Sequence, residues 1–118
     1  MKIFDRDGKI NFIDENNVLV GFVYSQCCCE QFGYFFCDEE PTEILRDSEH
    51  INDLEAYVFD TSYFKEVSDC CDEGAWVVFR IVNGDKQKFL GLFNIHNGYY
   101  AHGFDMRVGE EVIQSGYL

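Results

Sequence analysis

The first 25 residues alternate between short apolar runs and turn-forming residues, a pattern typical of β-strands. Asp7-Gly8 is a strong hairpin dipeptide, and it separates the run KIF from the run KINFI. A second turn, DENN, precedes VLVGFVYS. Both faces of this last run are largely apolar as far as Val23, so we expect it to be an interior strand that leads into the segment QCCCE.

The middle of the chain has a weaker pattern. GYFFC is predicted as a strand, and Pro41, the only proline, suits the start of a short helix over TEILRDSE. The run LEAYVFD, residues 54–60, is a strand candidate because of its Tyr-Val-Phe content. TSYFKEVSDCCDEGA, which follows, is predicted as a charged surface loop.

Two Asn-Gly dipeptides, Asn83-Gly84 and Asn97-Gly98, separate three β-rich runs in the last third. These runs, WVVFRIV, KQKFLGLFNI and YYAHGFDMRV, predict a three-stranded antiparallel meander. GEEVIQSGYL is either a last edge strand or a loose tail. Together, these patterns predict a single domain, residues 1–118, of the α+β class. It is mainly antiparallel β, with an N-terminal hairpin, the C-terminal meander and one or two short helices in the middle. We expect its core to be aromatic, formed by Phe22, Phe35, Tyr57, Phe59, Trp76, Phe79, Phe89 and Phe93.

Charge limits the partners that the chain can take. The 118 residues include 9 basic and 22 acidic side chains, for a net charge of −13. The acid is densest over residues 41–75, whereas residues 76–118 are neutral overall. Such a field opposes contact with phosphate backbones and with anionic membranes. We therefore expect a protein partner, and neither direct nucleic-acid binding nor membrane binding.

The compartment follows from the same composition. The longest apolar runs are far shorter than the roughly 20 residues that a transmembrane helix needs. The opening MKIFDRDGKI lacks the apolar core of a signal peptide. A cytoplasmic protein with reduced cysteines is predicted, so the even count of six cysteines does not indicate a disulfide framework.

The adjacent cysteines, Cys27-Cys28-Cys29 and Cys70-Cys71, allow several interpretations. Structural zinc prefers pairs of the Cys-x-x-Cys type, which are absent, although Cys28, Cys71 and either His96 or His102 are weak candidate ligands. A redox device or a Cys–His nucleophile is open too, but no motif marks either one. Free cysteine is among the most buried residue types, so small hydrophobic filler is the favoured interpretation. No cofactor is predicted.

Three segments, YSQCCCE, WVVFRI and NGYYAHGFDM, resemble a family of short phage and bacterial proteins of unknown function. The family pattern combines Gln-x-Cys-Cys-Glu, an aromatic strand and a terminal Asn-Gly-Tyr-Tyr. The resemblance implies a compact, strand-rich accessory protein. Cys27 stands where the family has Asp, and Tyr24 stands where it has His. The matching residues define a candidate functional cluster: Gln26, Cys28, Cys29, Glu30, Tyr99 and Tyr100.

Three classes of function stay open at this point. The first is a non-enzymatic protein-interaction module, which predicts an exposed aromatic patch and leaves a homodimer open. The second is an acidic mimic of nucleic acid that inhibits a basic nucleic-acid-binding protein. The third is a cysteine-based metal or redox site. The mimic would need rows of carboxylates on one face, for which the candidates are Asp38, Glu39, Glu40, Glu43, Asp47, Glu49, Asp53 and Glu55.

Overall fold

A computed structural model describes residues 1–23, 31–44, 51–68, 75–95 and 103–118. These residues form nine antiparallel strands in two sheets. Sheet A has the order β1-β2-β3-β8-β9, and sheet B has the order β4-β7-β6-β5. The strands are β1 (Lys2–Arg6), β2 (Lys9–Ile13), β3 (Val18–Val23), β4 (Gln31–Cys37), β5 (Val58–Ser68), β6 (Ala75–Asn83), β7 (Lys86–Ile95), β8 (Gly103–Val108) and β9 (Glu111–Tyr117).

The N-terminal hairpin is confirmed. Arg6 pairs with Lys9, which leaves Asp7 and Gly8 as a two-residue loop with φ values of 55° and 76°. Two positive φ angles are the signature of the type I′ turn that Asp-Gly favours. β3 is also interior, as predicted, because it pairs with β2 on one side and with β8 on the other.

The predicted C-terminal meander is correct for its first two strands only. β6 and β7 form a hairpin, but its loop is Gly84-Asp85 rather than Asn83-Gly84. Gly84 has a φ of 59°, which suits the first central position of a type II′ turn. The third strand, β8, pairs with β3 and β9 in sheet A, because both edges of β7 are taken by β6 and β4. Asn97-Gly98 lies outside the described residues.

The strand candidate over residues 54–60 is correct for residues 58–60, whereas residues 61–68 correct another expectation, since they continue the long strand β5 rather than form a loop. The pairing of β5 with β6 shifts between Phe59 and Phe64. This irregularity breaks the alternation of apolar and polar residues, and so it hides the strand from a pattern search. The α+β prediction is confirmed only as mainly antiparallel β. Its middle helix is not confirmed, because the described part of that segment is a bend and the single helical element described is the 3-10 turn Leu54–Ala56.

The eight predicted core aromatics are all buried, but they divide between two clusters. The first cluster joins the inner faces of the two sheets and contains Phe22, Tyr57, Phe59 and Phe79. The second cluster covers the outer face of sheet B and contains Phe35, Trp76, Phe89 and Phe93. Sheet B is therefore buried on both faces, which agrees with the continuous apolar run of β6.

A buried carboxylate connects the two sheets. Asp14, in the β2–β3 turn, is 7% exposed and accepts three backbone N–H bonds. Its Oδ1 accepts from Asn16 and Val18 at 2.9 Å, and its Oδ2 accepts from Phe59 of β5 at 2.8 Å. Nearby, the amino group of Met1 donates to the carbonyl oxygen of Leu54 at 2.7 Å. Burial lowers the pKa of this amino group.

Glycines stand directly opposite aromatic residues at four positions in two strand pairs. The pairs Gly33–Phe93 and Phe35–Gly91 join β4 to β7, and the pairs Gly103–Tyr117 and Phe104–Gly116 join β8 to β9. In each pair the ring lies within contact distance of the point where a glycine Cβ would stand. A ring laid over a glycine fills the space that the missing side chain leaves. These contacts help to hold β4 against β7, and β8 against β9, in the observed register.

Candidate functional site

The cluster predicted from the sequence lies outside the described residues. This holds for Gln26, Cys28, Cys29, Glu30, Tyr99 and Tyr100, and for the weak metal candidates Cys71, His96 and His102. The strands next to these segments share one end of sheet B. Gln31, where β4 begins, is opposite Ile95, where β7 ends, and Ala75 is opposite both Ser68 and Asn94.

Cys37 is the cysteine that the structure describes, and it supports the filler interpretation at its own position. Its side chain is 3% exposed and belongs to the aromatic cluster on sheet B. The Sγ–H group donates to the carbonyl oxygen of Glu39 at 3.1 Å. Within the described ranges, no group of three His, Cys, Asp or Glu side chains could hold a metal ion. No helix in those ranges is long and apolar enough to cross a membrane.

A polar network surrounds the irregularity in β5. The Tyr63 hydroxyl donates to Glu40 at 2.6 Å, and the Arg80 guanidinium lies 4.9 Å from the centre of the Tyr63 ring. Arg80 also donates to Asp60, whose other oxygen accepts from Ser62 at 2.5 Å. Burial, together with the bond to Glu40, raises the pKa of Tyr63 to about 12.

The carboxylates of this network have pKa values shifted in the opposite direction. The hydrogen bonds from Ser62 and Arg80 lower the pKa of Asp60. The bond from Tyr63 and the charge of Lys65 lower the pKa of Glu40. These shifts favour the charged form of the two carboxylates and the neutral form of the tyrosine, which are the forms that accept and donate the hydrogen bonds of the network. We interpret the network as support for the irregular strand, because its members bind one another.

The outer face of sheet A has a different character. Strand pairing sets its outward side chains in three rows that cross the five strands. Apart from Phe4 at the β1 edge, the middle row is small and polar, whereas the two outer rows carry cations on β1, β2 and β8 and apolar side chains on β9. The outer rows are Arg6-Lys9-Val23-Gly103-Tyr117 and Lys2-Ile13-Leu19-Arg107-Val112, and the middle row is Phe4-Asn11-Gly21-Asp105-Ser115.

This arrangement produces a shallow groove of about 470 Å³ over β8 and β9. Tyr117 is 78% exposed and Val112 is 46% exposed, so apolar surface borders the groove on its β9 side. The Tyr117 ring lies 3.4 Å from the Cβ position of Gly103, so it contacts β8 at this end of the groove.

One carboxylate holds two cations at the floor of the groove. Asp105 lies 3.6 Å from Lys9 Nζ and 2.5 Å from Arg107 Nε, and its side chain is 13% exposed. A Cβ on Gly21 would stand 3.0 Å from an oxygen of Asp105, so the missing side chain makes room for this contact. Two cations against one anion leave a local positive charge in a strongly acidic protein.

Sequence reasoning did not find this face. Three of its cations come from the neighbouring strands β1 and β2, and the fourth, Arg107, comes from β8 near the other end of the sequence. A partial signal existed, because Lys2, Arg6 and Lys9 are three of the nine basic residues and all precede residue 10. Their grouping on one face depends on the register of the first hairpin, which Asp7-Gly8 makes predictable.

Comparison with known proteins adds no family to this description. No protein-family model, no curated protein and no solved structure matches the chain. The resemblance carried by YSQCCCE, WVVFRI and NGYYAHGFDM therefore stays a prediction. The geometry of the two sheets is what remains to support a function.

Proposed function

We propose that the protein is a non-enzymatic interaction module that binds a protein partner through the outer face of sheet A. The observation that carries this proposal is the contrast between the two sheets. The aromatic residues on the outer face of sheet B are buried, whereas Tyr117, Val112 and Phe4 on sheet A are 78%, 46% and 38% exposed. Exposed aromatic and apolar side chains with a charged rim are the usual composition of an interface.

The chemistry of the groove also favours binding over catalysis. Its carboxylate, Asp105, is held between Lys9 and Arg107 rather than beside a nucleophile. A general base needs a partner within hydrogen-bond reach whose proton it can take. In the part of the groove that the structure describes, Ser115 is the hydroxyl opposite Asp105; the three histidines of the chain lie outside the described residues.

The acidic mimic is less well supported. Among the described carboxylates of that proposal, Asp38 is paired with Lys88, and Glu40 is paired with Lys65 at 3.4 Å. Glu40 also accepts a hydrogen bond from Tyr63. Carboxylates that are neutralised within the protein contribute less to a continuous row of phosphate-like charges. The cysteine-based site stays a proposal for the residues outside the described ranges.

Photo-crosslinking tests the proposed surface. A photoreactive phenylalanine derivative replaces Tyr117, and the matched control carries it at Lys86, an exposed position in β7 of sheet B. In the cells that naturally produce the protein, we expect one discrete adduct with a different protein from position 117 and none from position 86. Equal adducts from both positions, or an adduct with a second copy alone, would contradict the proposal.

A further inference from the structure

The sign of the charge on sheet A differs from that of the whole protein. Its outward positions carry the four cations Lys2, Arg6, Lys9 and Arg107 against the single carboxylate Asp105. Nearly half of the basic residues of the chain are therefore on one face, while the net charge is −13. Screening limits a surface charge to a range of about 8 Å at physiological salt, so a ligand on this face responds mainly to the nearby cations.

Acidic turns border both ends of this face. Asp7 lies in the β1–β2 turn, beside Arg6 and Lys9. At the opposite end, Glu15 and Glu110 are exposed in adjacent turns, which are joined by the bond from Gly109 N to Asn17 O at 3.0 Å. β3 has six residues, so the cationic area is roughly 20 Å long at about 3.3 Å per residue. A long polyanion would extend past this area and meet the carboxylates of the turns.

The surface therefore suits a short ligand with both negative and apolar groups. Lys9 and Arg107 supply the cations, and Tyr117 and Val112 supply the apolar wall on the other side of the groove. Neighbouring strands lie about 4.8 Å apart, so the width of the five-stranded sheet, measured from β1 to β9, is roughly 19 Å. An extended peptide of five or six residues matches that length at about 3.3 Å per residue.

We propose that this face binds a short, extended, acidic segment of a protein partner, an inference that rests on the proposed interaction function. The acidic side chains of the segment contact Lys9 and Arg107, and its apolar side chains lie against Tyr117. Glycine at position 21 makes room for Asp105 between the two cations, and glycine at position 103 lets the Tyr117 ring lie close to the sheet. The acidic turns select against nucleic acid and restrict the length of the charged segment.

Fluorescence anisotropy with defined probes tests this proposal. The probe is a labelled hexapeptide of alternating glutamate and tyrosine, and the comparison probe has lysine in place of glutamate. We expect saturable binding of the glutamate probe, weaker binding at high salt, and no saturable binding of the lysine probe. Arg107→Gln should weaken the binding by about two- to fivefold, the range for one exposed ion pair. Lys86→Gln, the matched charge change on sheet B, should leave it unchanged.

A second pair of variants tests the apolar wall. Tyr117→Ala should weaken the glutamate probe by about fivefold or more, as for the truncation of an interface aromatic. Tyr117→Phe should preserve the affinity, because it keeps the ring. Unfolding temperatures of all four variants establish that each is folded.

Several results would overturn the inference. The first is that the glutamate probe shows no saturable binding. The second is that Arg107→Gln and Lys86→Gln change its affinity equally. The third is that a six-nucleotide deoxythymidine strand binds more tightly than the glutamate probe. Concentration-dependent self-association in sedimentation, abolished by Arg107→Gln, would identify a second copy as the occupant and would also overturn it. If position 117 still crosslinks a partner while the peptide fails, the interaction function stands and only the acidic segment is wrong.

Discussion

Replacing Gly91 by alanine tests the aromatic packing of sheet B. A Cβ at this position would stand 2.3 Å from Cζ and 2.4 Å from Cε1 of Phe35. Carbon atoms in contact are about 3.5–4.0 Å apart, so the overlap exceeds an ångström. Phe35 is fully buried, and its ring centre lies 6.1 Å from that of Trp76 and 6.2 Å from that of Phe93. The ring therefore has little room to move away.

The expected size follows from two opposing effects. Overpacking a core costs about 1–3 kcal/mol and occasionally more. Replacing a glycine in a strand interior by alanine raises the free energy of unfolding by about 0.5–1 kcal/mol, because alanine loses less conformational entropy on folding. Because the overlap at Gly91 is large, we expect a net loss of about 2–3 kcal/mol in the free energy of unfolding. For a chain of this size, that loss lowers the unfolding temperature by roughly 10 °C.

The other glycine–aromatic pairs provide a matched series. Alanine at position 103 would stand 3.4 Å from the ring of Tyr117, an ordinary contact with an exposed side chain. We expect this variant to be neutral or to gain up to about 0.5 kcal/mol. Alanine at position 116 would stand 3.0 Å from the buried ring of Phe104, so its cost should be intermediate.

The assay is chemical denaturation followed by tryptophan fluorescence, since Trp76 lies in the affected cluster. The double variant with Phe35→Leu gives the methyl group room, and we expect it to be more stable than the sum of the two single effects predicts. The reasoning is refuted if alanine costs the same at positions 91 and 103. It is also refuted if Phe35→Leu and Gly91→Ala are strictly additive.

Three further predictions concern other parts of the protein. Asp14→Asn should lower the free energy of unfolding in denaturant by about 2–3 kcal/mol, because it removes the acceptor of the buried Phe59 N–H group. The control Asp85→Asn, at an exposed turn, should change this free energy by less than about 0.5 kcal/mol. Asp60 has a lowered pKa, so it stabilises the fold above the pKa of the unfolded carboxyl and loses this effect as pH falls through the folded value. Thermal unfolding of Asp60→Asn should consequently depend less on pH in the acid range than that of the wild type, and equal slopes would contradict the assignment. Protein purified without chelator should contain no stoichiometric metal and six titratable thiols when denatured; bound zinc would instead favour the cysteine site.

The sequence predicts individual strands and turns better than it predicts their partners. Asp7-Gly8 determines its own hairpin, because both positions need a positive φ that few other residues adopt. The inner face of β3 is readable from its apolar residues. The position of β8 in sheet A cannot be predicted in the same way, since Phe104 and Met106 would suit the inner face of either sheet. The opposition of ring and glycine at Phe104–Gly116 supports the pairing of β8 with β9, and recognising it requires knowledge of the register.

The core and the proposed interface show a similar division. Burial of Phe35 and Phe22 follows from their hydrophobicity, but their separation into two clusters follows from the two sheets. The interface could not be predicted because net charge conceals local charge. Lys9 and Arg107 are 98 positions apart in the chain, and they come together only when β2, β3 and β8 align.

Chemical-shift mapping of the partner complex determines whether the outer face of sheet A is the binding surface. The partner recovered through position 117 is titrated into the isotope-labelled protein, and the amide resonances are compared between the two faces. We predict shifts at Gly21, Gly103, Arg107 and Ser115 on sheet A, with none over residues 38–43. Shifts confined to residues 38–43, with sheet A unchanged, would contradict the account and favour the acidic mimic.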